Sequence, residues 1–208
     1  MRTYPIDHIK ISNKETLVFV DLETSGFKPW AFGRIIEFGA IKVSPKKTET
    51  FHSLCKPNLK IYDDKPLWIS KQIQSLTEID NKDVADERDS FDVFEDFYEF
   101  VDGNVCIAHN ARFEKTYIDF YCEYLGLYPL LTFRDTMPMF RAAFGCAKLS
   151  TLSESSLAHS AYDDSYQMLK LYKKALDLDK KNYKLCTEVT LPDSAKKSIM
   201  ECKEIKDR

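Results

Sequence analysis

Two acidic residues at the end of an apolar segment are the first candidates for chemistry. Residues 17–26 read LVFVDLETSG, which places Asp21 and Glu23 two positions apart after a run of apolar residues. Such a run predicts a β-strand, and side chains two positions apart on a strand share a face. Neighbouring carboxylates repel each other unless a cation lies between them, so this pair indicates a divalent metal site. The alternative is a strand that simply runs into a turn, because Thr, Ser and Gly follow.

The strand that carries this pair is predicted to lie inside an α/β sheet. Both of its faces are apolar before the acids begin, as in an inner strand that is covered on both sides. In open sheets of this kind, ligands bind beyond the carboxyl ends of the strands. Residues 35–43 and 48–54 predict two further strands that form a meander. Glu37 interrupts the first of them; we interpret it as a structural carboxylate that has a partner, with a role beside the site as the alternative.

A second acid begins the apolar side of a predicted helix. Residues 105–108 predict a short buried strand, and the chain then continues as a helix that ends near Gly126. Glu114 lies in the first turn of this helix, in line with apolar side chains. An acid on the inner face of a helix indicates a functional role. The alternative is that Glu114 only complements the helix macrodipole.

The third acid repeats this arrangement on the last confidently predicted helix. Asp164 lies in line with the apolar residues Met168, Leu171 and Ala175. His159 precedes Asp164 by five positions, in a predicted loop. A histidine with an ordinary pKa of about 6.5 is a competent general base at neutral pH. A surface histidine with a satisfied hydrogen bond is the alternative.

Composition limits the class of partner and of metal. A net charge of −3 over 208 residues argues against a broad polyanion-binding surface, so contact with nucleic acid would be local, at an end or a short strand. The six cysteines form no C-x-x-C pair, which argues against a zinc site or a disulfide framework. Oxygen ligands then favour Mg²⁺ or Mn²⁺. No signal sequence or membrane-spanning stretch is evident, so we expect a soluble, cytoplasmic protein.

The chain is expected to contain one catalytic domain between two less regular ends. Residues 1–14 are polar with isolated apolar positions and form a lead-in. Residues 15–178 carry all the strong periodic patterns and form the domain. Residues 179–208 are rich in lysine and weakly periodic, so we expect a solvated or partly disordered tail, although a helix after Ser194 is compatible with the sequence.

The three acidic segments resemble one known family. VFVDLETSGF, AHNARFE and HSAYDD, in that order, resemble the three motifs of the DEDDh family of DnaQ-like 3′-to-5′ exonucleases, which includes the proofreading subunit of bacterial DNA polymerase III. RIIEFGAIKV, IQSLTEID and RDTMPMFR support the resemblance, which covers about residues 16–178. His159 stands where the histidine class of the family carries its histidine, whereas the sister class would carry a tyrosine at Ser160.

The resemblance implies a fold, a reaction and a set of site residues. The fold is α/β and ribonuclease-H-like, with a mixed five-strand sheet flanked by helices. The reaction is metal-dependent hydrolysis at the 3′ end of single-stranded nucleic acid, with DNA favoured, to release nucleoside 5′-monophosphates. Two Mg²⁺ or Mn²⁺ ions would be held by Asp21, Glu23, Glu114 and Asp164, and His159 would act as general base. The candidate substrate-binding residues are Thr24, Ser25, Gly26, Asn110, Arg112 and Phe113. Arg112 is our addition, based on its charge beside the middle acid.

One residue departs from the family pattern. Family members carry aspartate in the middle motif, where this chain has Glu114. The extra methylene moves the carboxylate by about 1.5 Å, whereas catalytic groups usually need placement within about 0.5 Å. We therefore expect either a compensating shift of the helix or altered metal binding. Mg²⁺ demands near-ideal octahedral geometry, so Mn²⁺ is expected to serve better.

Two alternative functions follow from the same observations. If Glu114 weakens the site, the protein is a weakly active or inactive accessory subunit that binds 3′ ends. If the acidic composition is decisive, the protein is a phosphodiesterase for short oligonucleotides. A binding module has no chemical need for a general base, so His159 favours the enzyme. The expected partners are 3′ ends of single-stranded DNA or RNA and a separate polymerase or repair subunit, without a membrane.

Overall fold

The computed structural model describes residue 11 and residues 15–57, 69–152 and 160–206. His159 and nearly all of the predicted lead-in of residues 1–14 lie outside these described residues. Within them, no helix is both long and apolar enough to cross a membrane.

A mixed sheet forms the centre of the molecule, with its strands in the order β3-β2-β1-β4-β5-β6. Strands β1, β4 and β5 run parallel, whereas β2 is antiparallel to β1 and β3, and β6 is antiparallel to β5. The strand bounds are β1 Leu17–Thr24, β2 Ile35–Val43, β3 Thr48–Leu54, β4 Val105–Ala108, β5 Phe133–Asp135 and β6 Thr187–Glu188. The predicted ribonuclease-H-like α/β fold is confirmed, with one more strand than the five that were expected.

Helices cover both faces of this sheet. Their bounds are α1 Lys71–Thr77, α2 Ser90–Val101, α3 Arg112–Leu125, α4 Met137–Phe144, α5 Leu149–Leu152, α6 Ala161–Leu178 and α7 Asp193–Lys206. Short 3-10 helices span Pro29–Ala31 and Lys180–Leu185. One apolar core joins the sheet to α2, α3 and α7, and a second joins it to α4 and α6.

The alternation of side chains along β1 divides it between these two cores. Val18, Val20 and Leu22 face the core that contains α2 and α3. Leu17 and Phe19 face the core that contains α6. Asp21 and Glu23 continue the α6 side at the carboxyl end of the strand and are partly buried. The predicted inner strand with two acids on one face is therefore present in the structure.

The expectation of a solvated tail is wrong for most of residues 179–206. The segment Thr187–Glu188 adds the sixth strand to the sheet, next to β5. Helix α7 then packs on α3, and Leu191, Ala195 and Ile199 are buried in the same core as β1. These apolar side chains are spaced four positions apart over two turns, so the pattern is short, and the lysines around them obscured it.

Candidate active site

Three carboxylates converge where β1 ends. Asp21 and Glu23 come from β1, and Asp164 comes from the first turn of α6, which packs across that strand. One ligand oxygen from each side chain lies within 4.8 Å of the others. All three are partly buried. This spacing and the all-oxygen donor set suit a hard divalent cation such as Mg²⁺ or Mn²⁺.

Glu114 lies deeper than these three acids. Helix α3 begins at Arg112, so Glu114 is in its first turn, and it is only 4% exposed. Its Oε2 atom is buried and has no hydrogen-bond partner among the described residues. Glu114 is not a member of the close group of three, although its charge raises the pKa of Asp21. A buried carboxylate oxygen without a partner is energetically costly, and a bound cation would satisfy it.

The electrostatics of the site favour bound cations or protons. Burial raises the pKa of Asp21 well above its ordinary value, and the charges of Glu114, Glu23 and Asp164 add to this effect. Burial also raises the pKa of Glu23 to about 8, with repulsion from Glu37 and Asp164 as the further causes. For Glu114, burial is again the largest cause of a raised pKa. Without cations, these acids therefore hold their protons more strongly than free carboxylic acids do.

The raised pKa of Glu23 predicts how the metal-free protein responds to pH. An unfolded glutamate loses its proton near pH 4.5, whereas Glu23 in the folded protein keeps its proton to about pH 8. Rising pH between these values favours the unfolded chain, so the contribution of Glu23 to stability is most favourable below pH 4.5 and is lost as pH rises toward 8. After a discount for the partial solvent access of Glu23, we expect a contribution of ~2 kcal/mol, which corresponds to about 5 °C in Tm.

Thermal unfolding in chelator at pH 5 and pH 8 measures this effect. Wild type is expected to lose about 5 °C more than Glu23→Gln over this interval, because the amide cannot titrate. Excess Mn²⁺ should remove most of the loss in wild type, since it binds the deprotonated acids. Identical pH dependence of the two proteins would show that Glu23 titrates normally.

The loop that follows β1 is held by its own polar groups. Thr24 donates from its hydroxyl to the carbonyl of Gly26 at 2.7 Å, and Tyr117 donates to the same carbonyl at 2.6 Å. The Ser25 hydroxyl accepts the backbone N–H of Arg34 at 2.9 Å. These predicted substrate-binding residues therefore shape the turn beside the acids, and Thr24 itself is buried. Phe27, directly after them, is 71% exposed.

The loop before α3 also has a defined shape. Asn110 adopts a left-handed backbone with φ 63°, and its N–H donates to Asp135 Oδ1 at 3.2 Å. Arg112 is exposed, and Phe113 is half-buried against the core. His109 shares a hydrogen bond of 2.8 Å with the Thr136 hydroxyl, and burial lowers its pKa. This agrees with a structural role for His109.

Glu37 has partners that the sequence did not identify. Its carboxylate is 3% exposed and bonds to the side chains of His52 and Ser160 and to the backbone N–H of Ala161. The interpretation of Glu37 as a satisfied structural carboxylate is therefore confirmed. Its interruption of an apolar strand signalled the need for a partner but not which residue would serve.

Two exposed cationic side chains that the sequence did not single out line a cleft that begins at the loop before α3. An open cleft of about 670 Å³ begins at His109 and Asn110 and continues to the loop between α4 and α5. Arg141 and Lys148 line this cleft and are both exposed. The cleft lies beside the loop of the middle motif, so an extended polyanion that reaches the acids has cationic side chains along one side.

Comparison with known proteins assigns the chain to a family. A model of the RNase_T family, described as exonuclease, matches residues 18–172. The PolC-type DNA polymerase III of Caldanaerobacter subterraneus is 33% identical over 172 residues, which are 78% of this chain but 12% of the relative. The epsilon subunit of DNA polymerase III from Buchnera aphidicola is 25% identical over 183 residues, which are 78% of this chain and 75% of the relative.

A solved structure supports the same fold. The complex of E. coli exonuclease I with single-stranded DNA, in a zinc-bound form, superposes with a TM-score of 0.66 at 18% identity. The match covers 83% of this chain and 42% of exonuclease I. The chain thus spans only a small part of the PolC-type relative and under half of exonuclease I. Since the family model extends from β1 to α6 and includes all three acidic segments, the chain belongs to the RNase_T exonuclease family.

Proposed function

We propose that this protein is a metal-dependent 3′-to-5′ exonuclease that hydrolyses single-stranded nucleic acid, with DNA favoured, and releases nucleoside 5′-monophosphates. The observation that carries the proposal is the convergence of Asp21, Glu23 and Asp164 within 4.8 Å at the end of β1. Hydrolysis of a phosphodiester needs positive charge beside the scissile phosphate, and three converging carboxylates can hold that charge in place. We propose residues 15–178 as the catalytic unit.

The proposed cofactors are two Mg²⁺ or Mn²⁺ ions. Asp21, Glu23 and Asp164 would hold one of them, and Glu114, whose Oε2 has no hydrogen-bond partner among the described residues, would hold the second together with Asp21. When bound, such ions activate water as a nucleophile and neutralise charge on the phosphate. Because Glu114 stands apart from the close group, we propose that the second site is the weaker one and that it favours Mn²⁺.

Proton transfer and substrate binding are assigned to side chains of the protein. We propose that His159, which directly precedes Ser160 in the sequence, accepts the proton of the attacking water. The turn of Thr24, Ser25 and Gly26 would contact the terminal nucleotide. The exposed Phe27 ring is suited to stack on a base. Asn110, Arg112 and Phe113 would border the phosphate and the sugar from the other side.

The proposed setting follows from the relatives and the thiols. Because the epsilon subunit and PolC-type relatives belong to DNA polymerase III, we propose a separate polymerase or repair subunit as a partner. All six cysteines are free thiols and four of them are buried, which is typical of a reducing compartment, so we propose the cytoplasm.

Substrate choice tests this proposal against its two alternatives. Matched single-stranded DNA and RNA of 30 nucleotides and a dinucleotide are incubated with Mn²⁺, Mg²⁺ or chelator. We expect metal-dependent mononucleotide release from the long DNA, faster than from RNA and faster with Mn²⁺ than with Mg²⁺. Glu114→Asp should reduce the difference between the rates of release with Mn²⁺ and with Mg²⁺. Hydrolysis of the dinucleotide alone would favour the short-oligonucleotide phosphodiesterase, and tight end binding without hydrolysis would favour the accessory subunit.

The cleft cations predict a salt-dependent contribution to binding of long strands. Arg141→Ala/Lys148→Ala is expected to raise KM for a 30-nucleotide strand and to leave kcat unchanged, because both residues lie beside the cleft rather than among the acids. Loss of two phosphate contacts should reduce the slope of log Kd against log salt by about 1.4 for a single strand.

Lys46→Ala/Lys47→Ala is the matched control for charge. These lysines lie in the turn between β2 and β3, at the opposite end of the sheet from the acids, because Val43 pairs with Leu17 at the start of β1. Filter binding at four salt concentrations measures the slopes. If Arg141→Ala/Lys148→Ala and wild type show equal slopes of log Kd against log salt, the cleft does not bind the nucleic-acid strand.

A further inference from the structure

The N-terminus of helix α6 is capped by a side chain from strand β2. The first N–H groups of a helix have no partner within the helix. Ser160 occupies the position before α6, but its side chain does not cap the helix. Instead, Glu37 of β2 accepts the N–H of Ala161 at 2.9 Å through Oε2. A negative side chain at a helix N-terminus is also favourable for the helix dipole.

The second oxygen of Glu37 fixes the residue that precedes the helix. Its Oε1 accepts a hydrogen bond from the Ser160 hydroxyl at 3.0 Å and lies 2.7 Å from Nε2 of His52 on β3. Glu37 is 3% exposed, so these bonds are shielded from water. The two carboxylate oxygens of Glu37 thus form hydrogen bonds with Ser160, Ala161 and His52.

Close backbone packing leaves little space for α6 to move along β2. A Cβ atom added to Gly39 would lie 2.1 Å from the carbonyl carbon of Ala161, so only glycine permits this approach. One turn later, the Ser165 hydroxyl donates to the Gly39 carbonyl at 2.8 Å. The first residue of α6 is therefore in backbone contact with β2. The hydrogen bonds from Glu37 fix the position of this residue relative to the strand.

This contact connects the two elements that supply the metal-binding acids. Glu37 pairs directly with Glu23 across the β1–β2 register. On its other side it holds Ala161, three residues before Asp164. A change in this connection would alter the separation between the β1 carboxylates and Asp164, which now converge within 4.8 Å. Glu37 also adds repulsion to Glu23, so its favourable contribution comes from the hydrogen bonds.

We propose that Glu37 is a positioning residue that, through Ser160 and Ala161, sets the placement of Asp164 relative to β1. The proposal rests on the exonuclease function proposed above for its kinetic part. Its cation-binding part stands independently, because the position of Asp164 determines how well the three carboxylates hold one ion.

Glu37→Ala and Glu37→Gln, with Ser165→Ala as the control, test the proposal. Mn²⁺ affinity is measured by calorimetry on the metal-free protein, and kcat and KM on a single-stranded oligonucleotide. We expect Glu37→Ala to lower Mn²⁺ affinity about tenfold and kcat about 100-fold, with KM within about twofold of wild type. Glu37→Gln should recover most of both, because its amide oxygen accepts the Ala161 N–H while Ser160 and His52 accept from its NH₂.

Ser165→Ala separates positioning from stability. It removes a buried hydrogen bond between the same helix and strand, so it should lower Tm while Mn²⁺ affinity and kcat stay near wild type. If Glu37→Ala does not fold, Ser160→Ala removes one bond of the network and is expected to lower both quantities about threefold. Wild-type values in Glu37→Ala or in the soluble Ser160→Ala variant, or equal losses in Ser165→Ala, would overturn the proposal. If the variants change Mn²⁺ affinity as expected but wild type hydrolyses no oligonucleotide, only the proposed exonuclease function would be overturned.

Discussion

Replacing His159 with alanine is expected to lower kcat for nucleotide release by about 10³-fold, within the range that general bases supply. KM and Mn²⁺ affinity should remain within about twofold of wild type, because imidazole is not among the proposed metal ligands. In the sequence His159 directly precedes Ser160, which is bonded to Glu37, and the first turn of α6 then presents Asp164.

The pH profile distinguishes a general base from a structural histidine. At saturating Mn²⁺, wild-type kcat should fall toward acidic pH as the imidazole becomes protonated, and this limb should be absent in His159→Ala. Added imidazole should restore part of the activity of the variant, because the missing group is small and accepts a proton. A loss smaller than tenfold, or an acidic limb that survives the substitution, would remove His159 from the mechanism.

Replacing Asp21 with asparagine is expected to lower activity by at least about 10³-fold, since it removes several kcal/mol of metal-held charge stabilisation. Mn²⁺ affinity should fall with it. The same change should stabilise the metal-free protein at pH 8, because Asp21 is buried among the charges of Glu114, Glu23 and Asp164. Asparagine has a similar shape and no charge, so we expect an increase of about 3 °C in Tm.

Two controls show whether this increase has an electrostatic cause. At pH 5 the gain should be smaller, since burial and the neighbouring acids raise the pKa of Asp21 and lower pH reduces the cost of keeping this side chain uncharged. Asp163→Asn, next to Asp164 on α6, should change neither activity nor Mn²⁺ affinity, because Asp163 is outside the close group of acids. Unchanged Mn²⁺ binding in Asp21→Asn would contradict the proposed metal site.

The features that could be predicted from sequence are those encoded by neighbouring residues. The alternation of Val18 and Val20 with Phe19 determines the two faces of β1, and this local pattern fixed the common face of Asp21 and Glu23. In the same way, the helical stripe of Asp164 predicted its inward position on α6. Such short-range periodicity determines which face a side chain occupies, independently of distant residues.

Features that depend on distant residues could not be predicted. Two of the partners of Glu37, Ser160 and Ala161, are 123 and 124 positions away in sequence, so the strand pattern indicates a partner without identifying it. Ile199 is buried only because α3 offers an apolar surface to α7, and its own helix is weakly amphipathic. For Glu114, the sequence revealed the substitution, but its unpartnered oxygen and its separation from the other acids required the structure.

The most direct test of the account is the release of label from a single-stranded DNA that carries its only label in the 3′-terminal nucleotide. In Mn²⁺ we expect labelled nucleoside 5′-monophosphate as the first product, no release in chelator, and at least about 10³-fold slower release by Asp164→Asn. Labelled fragments longer than one nucleotide, or release that persists in chelator, would contradict a metal-dependent 3′-to-5′ exonuclease at this site.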